Sequence, residues 1–271
     1  MTDSPPDVGF PLPDGRWVET NEGAGDARPL WLSDGPARAE LWQRARAAHA
    51  ASGLWPLLLV PLAEGGGPGE RARPWASGEL FPEDASSPGA HDAAGLLAGW
   101  WREHTAPGAD DHLSPAERLG ITAPFGRDWP GLAPGRAAGG DPDALAAAYA
   151  DAFVAEHPEA RLGLVAAGRG ADAPAHAGWS GPVDHESDTA PYSAVLRGWE
   201  ERFGARVVAV GFATLHLSVA APPTSRAQAL AVAAEHFAFC PDNIWQGTRA
   251  GTLAAYAAEI MDAASWDFWW D

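Results

Sequence analysis

Residues 235–247 concentrate polar side chains that could carry out chemistry. The segment reads EHFAFCPDNIWQG and contains two acids, an imidazole, two amides and the only cysteine of the chain. Its candidate catalytic residues are Glu235, His236, Cys240 and Asp242. A carboxylate, an imidazole and a thiol near one helix end could form a hydrolytic centre or bind a metal ion. The same groups could instead complete a turn in which each of them serves the backbone.

Catalysis by the thiol has demanding requirements. Cys240 would need a base within hydrogen-bond reach and donors that stabilise an oxyanion. His236 precedes it by four residues, and Pro241 follows directly as a helix stop. The sequence lacks the local signatures of known cysteine hydrolases and has no Gly-x-Ser-x-Gly elbow for a serine nucleophile. An enzyme, hydrolytic or metal-assisted, that uses a groove at this segment is therefore the alternative hypothesis.

A metal site is a second chemical possibility. The segment offers an imidazole, a thiol and a carboxylate, which are all zinc ligands. Conceivable additional ligands from elsewhere in the chain are Asp184, His185 and His216. Because the spacing matches no standard zinc signature, we predict neither a metal nor a cofactor.

Structural roles account for the same residues, and we favour this interpretation over catalysis. The preceding helix is predicted to end near residue 238. Cys240 would then fill a small apolar pocket. Asp242 and Asn243 would bond to nearby backbone amides, as such residues usually do in turns.

Tryptophans indicate a possible binding role. The chain has 14 tryptophans in 271 residues, and Trp75, Trp129, Trp179 and Trp245 fall in predicted loops beside polar residues. Exposed loop tryptophans often anchor partners. The candidate ligand-binding residues are Trp179, Asn243, Trp245 and Gln246.

The charge narrows the class of partner. The chain has 36 acidic residues and 18 basic residues, for a net charge of −18. Such a surface repels phosphate backbones, so we expect no nucleic acid. The acids are scattered, which favours a role of this charge in solubility, and the alternative is a basic protein partner or a small cationic ligand. Lysine is absent from the sequence. This excludes pyridoxal phosphate enzymes, Walker A phosphate loops and serine–lysine hydrolases.

The compartment follows from cysteine use and hydropathy. A single cysteine fits a reducing environment, and the acidic first residues do not resemble a signal peptide. The longest apolar run, at residues 54–63, is about half of what a bilayer span requires. We therefore expect a cytoplasmic protein without a membrane partner.

Hydrophobic periodicity predicts the elements that hold the polar segment. Residues 1–30 are predicted to form an irregular arm, and Ser33 or Asp34 to cap the first helix. Helices are predicted at 36–52, 91–104, 142–156, 189–203, 225–238 and 252–262. Strands are predicted at 54–62, 161–167, 206–210, 214–219 and 266–270. The order predicts an α+β fold with a mixed or antiparallel sheet packed by helices. We place a loop-rich N-terminal region at 1–140 and an α+β domain at 141–271.

Several of these segments resemble one bacterial family. The matching stretches include LGLV at 162–165, LRGWEERFGARVV at 196–208, LSVAAPP at 217–223, EHFAFCPDNIWQG at 235–247 and the final WDFWWD. Their order and spacing are similar to those of DUF4253, a domain of unknown function, over about residues 160–271. Before residue 140 the most distinctive match is GLWPLLL at 53–59. The resemblance implies a shared domain and carries no activity, substrate or cofactor. The residues themselves favour a binding or interaction module, for example one that neutralises a basic toxin.

Overall fold

One mixed sheet of seven strands organises the part of the chain that the structure describes. The structure is a computed structural model, and it describes residues 4–20, 27–62, 73–107, 114–182, 187–246 and 251–271. The strands are β1 (Gly15–Val18), β2 (Leu30–Pro36), β3 (Leu54–Leu59), β4 (Arg161–Ala166), β5 (Ala205–Val210), β6 (Thr214–Val219) and β7 (Ser265–Trp269). Their order across the sheet is β1-β2-β4-β3-β5-β6-β7. Only the β3–β5 pair among them is parallel.

The α-helices in the described residues are α1 (Ala39–Ser52), α2 (Ala93–Thr105), α3 (Pro115–Ile121), α4 (Pro142–Glu156), α5 (Ala173–His176), α6 (Ala190–Phe203), α7 (Arg226–Phe239), α8 (Asp242–Trp245) and α9 (Leu253–Ile260). A capping box formed by Ser114 and Glu117 is present at the start of α3. Ser225 accepts a hydrogen bond from the backbone of Gln228 and so caps α7. None of the helices in these described ranges is long and apolar enough to cross a bilayer.

Helices cover both faces of the sheet. Successive strand residues point to opposite faces, and the two hydrophobic clusters follow that alternation. Leu58 of β3 packs in the cluster that includes α1 and α4. Leu57 and Leu59 pack in the other cluster, which includes α2, α6, α7 and α9. The predicted α+β class with a mixed sheet is therefore confirmed.

The secondary structure of the first 40 residues differs most from the prediction made from the sequence. The predicted irregular arm contains β1, and β2 occupies the stretch expected to cap and begin the first helix. That helix, α1, begins at Ala39, and Arg38 stands at its N-cap without a side-chain hydrogen bond. The predictions were wrong here because β1 has only four residues and β2 is defined by its neighbours β1 and β4 rather than by its own periodicity.

The sheet is continuous across the expected domain boundary. Strand β4 pairs with β2 on one side and with β3 on the other, so strands from before residue 140 flank the first strand after it. Pro56 is tolerated in central β3 because β3 pairs with β5 only at Leu58 and Leu59. The division at residue 140 stays a prediction.

Candidate functional site

The polar segment lies inside the protein. Glu235 and His236 belong to the last turns of α7, Cys240 follows the helix, and Asp242 begins α8. Glu235, His236 and Cys240 have 0% of their surface exposed, and Asp242 has 4%. The side chains also diverge. Glu235 contacts α6, Cys240 contacts β7, and Asp242 contacts the backbone of Asp271 just beyond β7.

Glu235 forms a buried ion pair, and donors occupy both oxygens of its carboxylate. Arg202 Nη1 and Nη2 donate to its two carboxylate oxygens at 2.7 and 2.6 Å. The indole of Trp199 donates at 2.8 Å and the backbone amide of Ala133 at 2.6 Å. Four donors occupy the carboxylate, so Glu235 fixes α7 to α6 and to the loop at residue 133. No further observation supports its role as an acid or base.

His236 is held as a neutral imidazole in an aromatic cage. Asn243 Nδ2 donates to the Tyr256 oxygen at 3.2 Å, and Tyr256 lies 3.0 Å from His236 Nδ1. The tyrosine proton therefore goes to Nδ1, and this arrangement assigns the imidazole proton to Nε2. Burial, and then the charge of Arg202, lower the pKa of His236 to about 3.

The aromatic cage explains why His236 Nε2 has no conventional hydrogen-bond partner. The imidazole packs edge to face against its neighbours, with ring centroids 4.5 Å from Trp266 and 4.9 Å from both Trp199 and Phe268. Aromatic faces accept N–H groups weakly. Because the ring is sealed in the interior, it has no path to a substrate in this conformation.

Cys240, Asp242 and Asn243 together cover the outer edge of the terminal strand β7, and we call these three residues the edge cap. Asn243 accepts from the Trp269 amide at 3.2 Å and donates to the Asp267 carbonyl at 2.7 Å. The Cys240 thiol donates to the Trp269 carbonyl at 2.9 Å.

Asp242 completes the edge cap. Its carboxylate accepts from the backbone amide of Asp271 at 3.2 Å and from the Gln246 side chain at 3.1 Å. Since β7 pairs with β6 through its other edge, the cap satisfies backbone groups that would otherwise form an exposed strand edge. Such edges pair readily with other chains, and proteins commonly block them.

The thiol is poorly suited to attack a substrate. Burial raises the pKa of Cys240 far above its usual range, and the nearby charge of Asp242 acts in the same direction. Backbone hydrogen bonds to the sulfur from Asn243, Trp269 and Asp242 work against this shift without overcoming it. A cysteine nucleophile needs the thiolate, which this environment disfavours. The geometry therefore supports the structural interpretation of the segment.

Of the conceivable metal ligands, those that the structure describes do not come together. His216 bonds to Asp267 at 2.8 Å and to Thr214 at 3.1 Å, on β6 and β7. Asp184 and His185 lie outside the described residues. Within the ranges that the structure describes, no group of three or more His, Cys, Asp or Glu side chains could hold a metal ion.

Most of the other predicted ligand-binding residues pack against the protein itself. Trp179 is 2% exposed, and its indole donates to the carbonyls of Gly211 and Phe212. Trp245 is half-buried between the rings of His104 and Phe237, at 5.8 and 5.3 Å. Gln246 is exposed and bonds to Asp242. The role of Trp179, Asn243, Trp245 and Gln246 in ligand binding stays a prediction.

The polar segment at 235–247 lies within a region of the chain that matches a known family model. The matched region begins at the first residue of β4 and extends through β7, so it includes α7, α8 and the whole edge cap. Residues 161–271 match the family model of DUF4253, a domain of unknown function. Comparisons with curated proteins and with solved structures return no match. Three of the four DUF4253 strands, β5, β6 and β7, are neighbours in the sheet, and β3 separates them from β4.

Two surface cavities lie mainly outside the DUF4253 region, in a part of the chain where no catalytic or binding motif was predicted. The first is a groove of 740 Å³ along α2, which we call the α2 groove; its lining residues include His91, Asp92, Leu96, Trp100, Arg102 and Glu103. The second, of 510 Å³, we call the loop cavity; its lining residues include Arg28, Ser86, Ser87 and His176. In the sequence, the one feature that indicated this groove was the helical spacing of Leu96 and Trp100 beside Gly95 and Gly99.

Proposed function

We propose that this protein is a cytoplasmic binding module that recognises a basic protein partner through the α2 groove. The observation that carries the proposal is the pairing of a partly exposed aromatic surface with carboxylates in one concave site. Leu96 and Trp100 supply apolar surface, and Asp92 and Glu103 supply negative charge. Cations are attracted to aromatic faces, and more strongly where an anion lies nearby.

Trp100 is positioned firmly for such a contact. Its ring stacks on Tyr192 with centroids 5.1 Å apart and an interplanar angle of 26°. The ring of Phe239 makes an edge-to-face contact with it, with centroids 6.5 Å apart, and restricts it further. A ring fixed by its neighbours binds a cationic side chain without losing much rotamer entropy.

The groove also admits a close approach. Nothing lies within 4 Å of the position that a Cβ would take at Gly99. A partner backbone can therefore come near α2 at this point. The rim is mixed, because Arg102 and His91 line it as well. A partner that places its own cation beside Glu103 is favoured over one that places it beside Arg102.

The overall charge assists association. A net charge of −18 attracts a basic partner over long range and raises its rate of encounter. Many arginines already face acids of the same chain, as in the pairs Arg46–Asp143 and Arg206–Asp143. This pairing reduces their competition with an incoming cation.

Binding of a nine-residue arginine peptide, measured by calorimetry, tests the proposal. Loss of a cation–π contact of about 0.5–2 kcal/mol weakens binding by about 2- to 30-fold. We expect that loss in Trp100→Ala, and a weakening of at least about 2-fold in Glu103→Gln. Glu259→Gln is the matched control, because it removes the same charge from an exposed position on α9. Equal weakening in the two glutamate variants would show general attraction to an acidic surface and would refute the groove.

A further inference from the structure

A serine and a histidine lie in contact beside the loop cavity. Ser86 Oγ is 2.6 Å from His91 Nε2, within the distance at which an imidazole can take a hydroxyl proton. Both residues are accessible, since Ser86 is exposed and His91 is half-buried. Ser86 also lines the loop cavity, a space that a small molecule can enter, whereas His91 lines the neighbouring α2 groove.

Asp188 supports this pair. Its carboxylate accepts the backbone amides of Ser86 at 3.0 Å and Ala190 at 2.9 Å, which fixes the serine loop at the start of α6. Partial burial works to raise the pKa of Asp188, but hydrogen bonds from the Ser86 hydroxyl and from the backbone amides of Ala190 and Ser86, together with the nearby charge of His91, outweigh burial and lower it. The carboxylate is therefore ionised at neutral pH and can stabilise a positive charge on His91.

The loop cavity has the size and charge of a site for a small anionic molecule. Its volume is 510 Å³, within the usual range for ligand pockets. Arg28 and His176 line it, and no Asp or Glu occurs among its described lining residues. Arg28 pairs with Glu19 at 2.7 Å, but that glutamate side chain is 67% exposed. An ion pair with so exposed a partner is weak, and the Arg28 guanidinium contributes positive charge to the lining of the cavity.

The geometry points to a second activity, in which Ser86 is the nucleophile and His91 the general base for hydrolysis of a small ester that carries an anionic group. The Ser86 proton passes to His91 Nε2 as Oγ bonds to the acyl carbon. The ester carbon–oxygen bond breaks, and His91 protonates the departing alcohol. Water then attacks the acyl carbon and gives a proton to His91. The bond between the acyl carbon and Oγ breaks, His91 returns the proton to Oγ, and the carboxylic acid leaves with Ser86 restored. This activity does not depend on the α2 groove binding a partner.

A fluorophosphonate probe on the full chain tests the nucleophile. Oγ would bond to phosphorus and displace fluoride, leaving a covalent adduct that peptide mass spectrometry places on one residue. We expect the adduct on Ser86, its loss in Ser86→Ala, and its persistence in Ser87→Ala. Ser87 is the matched control, because it is exposed and lines the same cavity. His91→Gln should slow labelling by about 100-fold or more, as loss of a general base does.

Three results would overturn the assignment. The first is the absence of an adduct after prolonged exposure to the probe. The second is labelling that survives in Ser86→Ala, which would place the reactive group elsewhere. The third is an unchanged labelling rate in His91→Gln, which would show that the imidazole does not act on the hydroxyl. Circular dichroism of each variant checks that the loop change has left the fold intact.

Discussion

Replacing Asn243 with leucine tests whether the polar segment serves the strand edge. The substitution keeps a similar side-chain volume and removes hydrogen bonds to the Trp269 amide, the Asp267 carbonyl and the Tyr256 hydroxyl. A buried polar group left without a partner costs about 1–3 kcal/mol. Asn243 is 8% exposed, so water reaches the site only in part. We expect a loss of about 2–4 kcal/mol and a fall in Tm of roughly 5–15 °C.

Urea unfolding measures the stability of this variant, and hydrogen exchange measures the edge itself. The Trp269 amide should lose protection, because its acceptor is Asn243 Oδ1. Gln246→Leu is the control: it lies in the same turn, is exposed, and loses one hydrogen bond, to Asp242. We expect it to change stability by no more than about 0.5 kcal/mol. Equal stability of the two variants, or unaltered exchange at Trp269, would refute the edge-cap argument.

Three further outcomes follow from the same region. Glu235→Gln should cost about 3–5 kcal/mol in a denaturant titration, because it leaves Arg202 partly buried without its counter-charge; a cost no greater than that of Glu19→Gln at an exposed pair would contradict this. His236 has a folded pKa of about 3 against 6.5 for the free group, so only the unfolded chain gains a proton as pH falls from 6.5. Its contribution to stability is present above pH 6.5 and declines below it, by up to about 1.4 kcal/mol per pH unit, and His236→Gln should remove this part of the slope between pH 7 and 5. Cys240 should react with a thiol reagent at pH 8 only in denaturant, and rapid labelling of the native protein would show that the thiol is accessible.

Strong periodicity made the C-terminal elements predictable. In α6, Val195, Trp199 and Phe203 recur every four residues and are all buried. In β7, Trp266 and Phe268 alternate with exposed Asp267, as the prediction of a terminal strand required. In both elements, the residues that are apolar in the sequence pattern are the ones that the fold buries. Strand β2 has no such pattern, since Leu30 to Ser33 are all buried between two neighbouring strands.

The chemistry of the polar segment was less predictable than its secondary structure. Asx side chains in turns commonly bond to nearby backbone, and Asn243 does bond to backbone, but 24 and 26 residues away along the chain. Such partners become neighbours only when β7 docks beside α8. Likewise, Ser86 and His91 have no motif spacing, and the bend before α2 brings them into contact. Tertiary structure therefore decides which polar residues are buried by their partners and which remain accessible.

The sheet order connects the family resemblance with the location of accessible chemistry. Between β4 and β5 of the DUF4253 region lies β3, which contains most of the 53–59 segment that also resembled the family. The matched residues thus need a strand from outside their own span to form a continuous sheet. Inside that span, the residues that most resemble an active site are bonded to neighbouring elements of the fold, and the edge cap protects a strand edge. The half-buried or exposed groups beside cavities, Ser86, His91 and Trp100, come earlier in the chain. Because recognition and catalysis both require contact with a ligand, the loop and helix at 82–106 are better placed for either than the segment at 235–246.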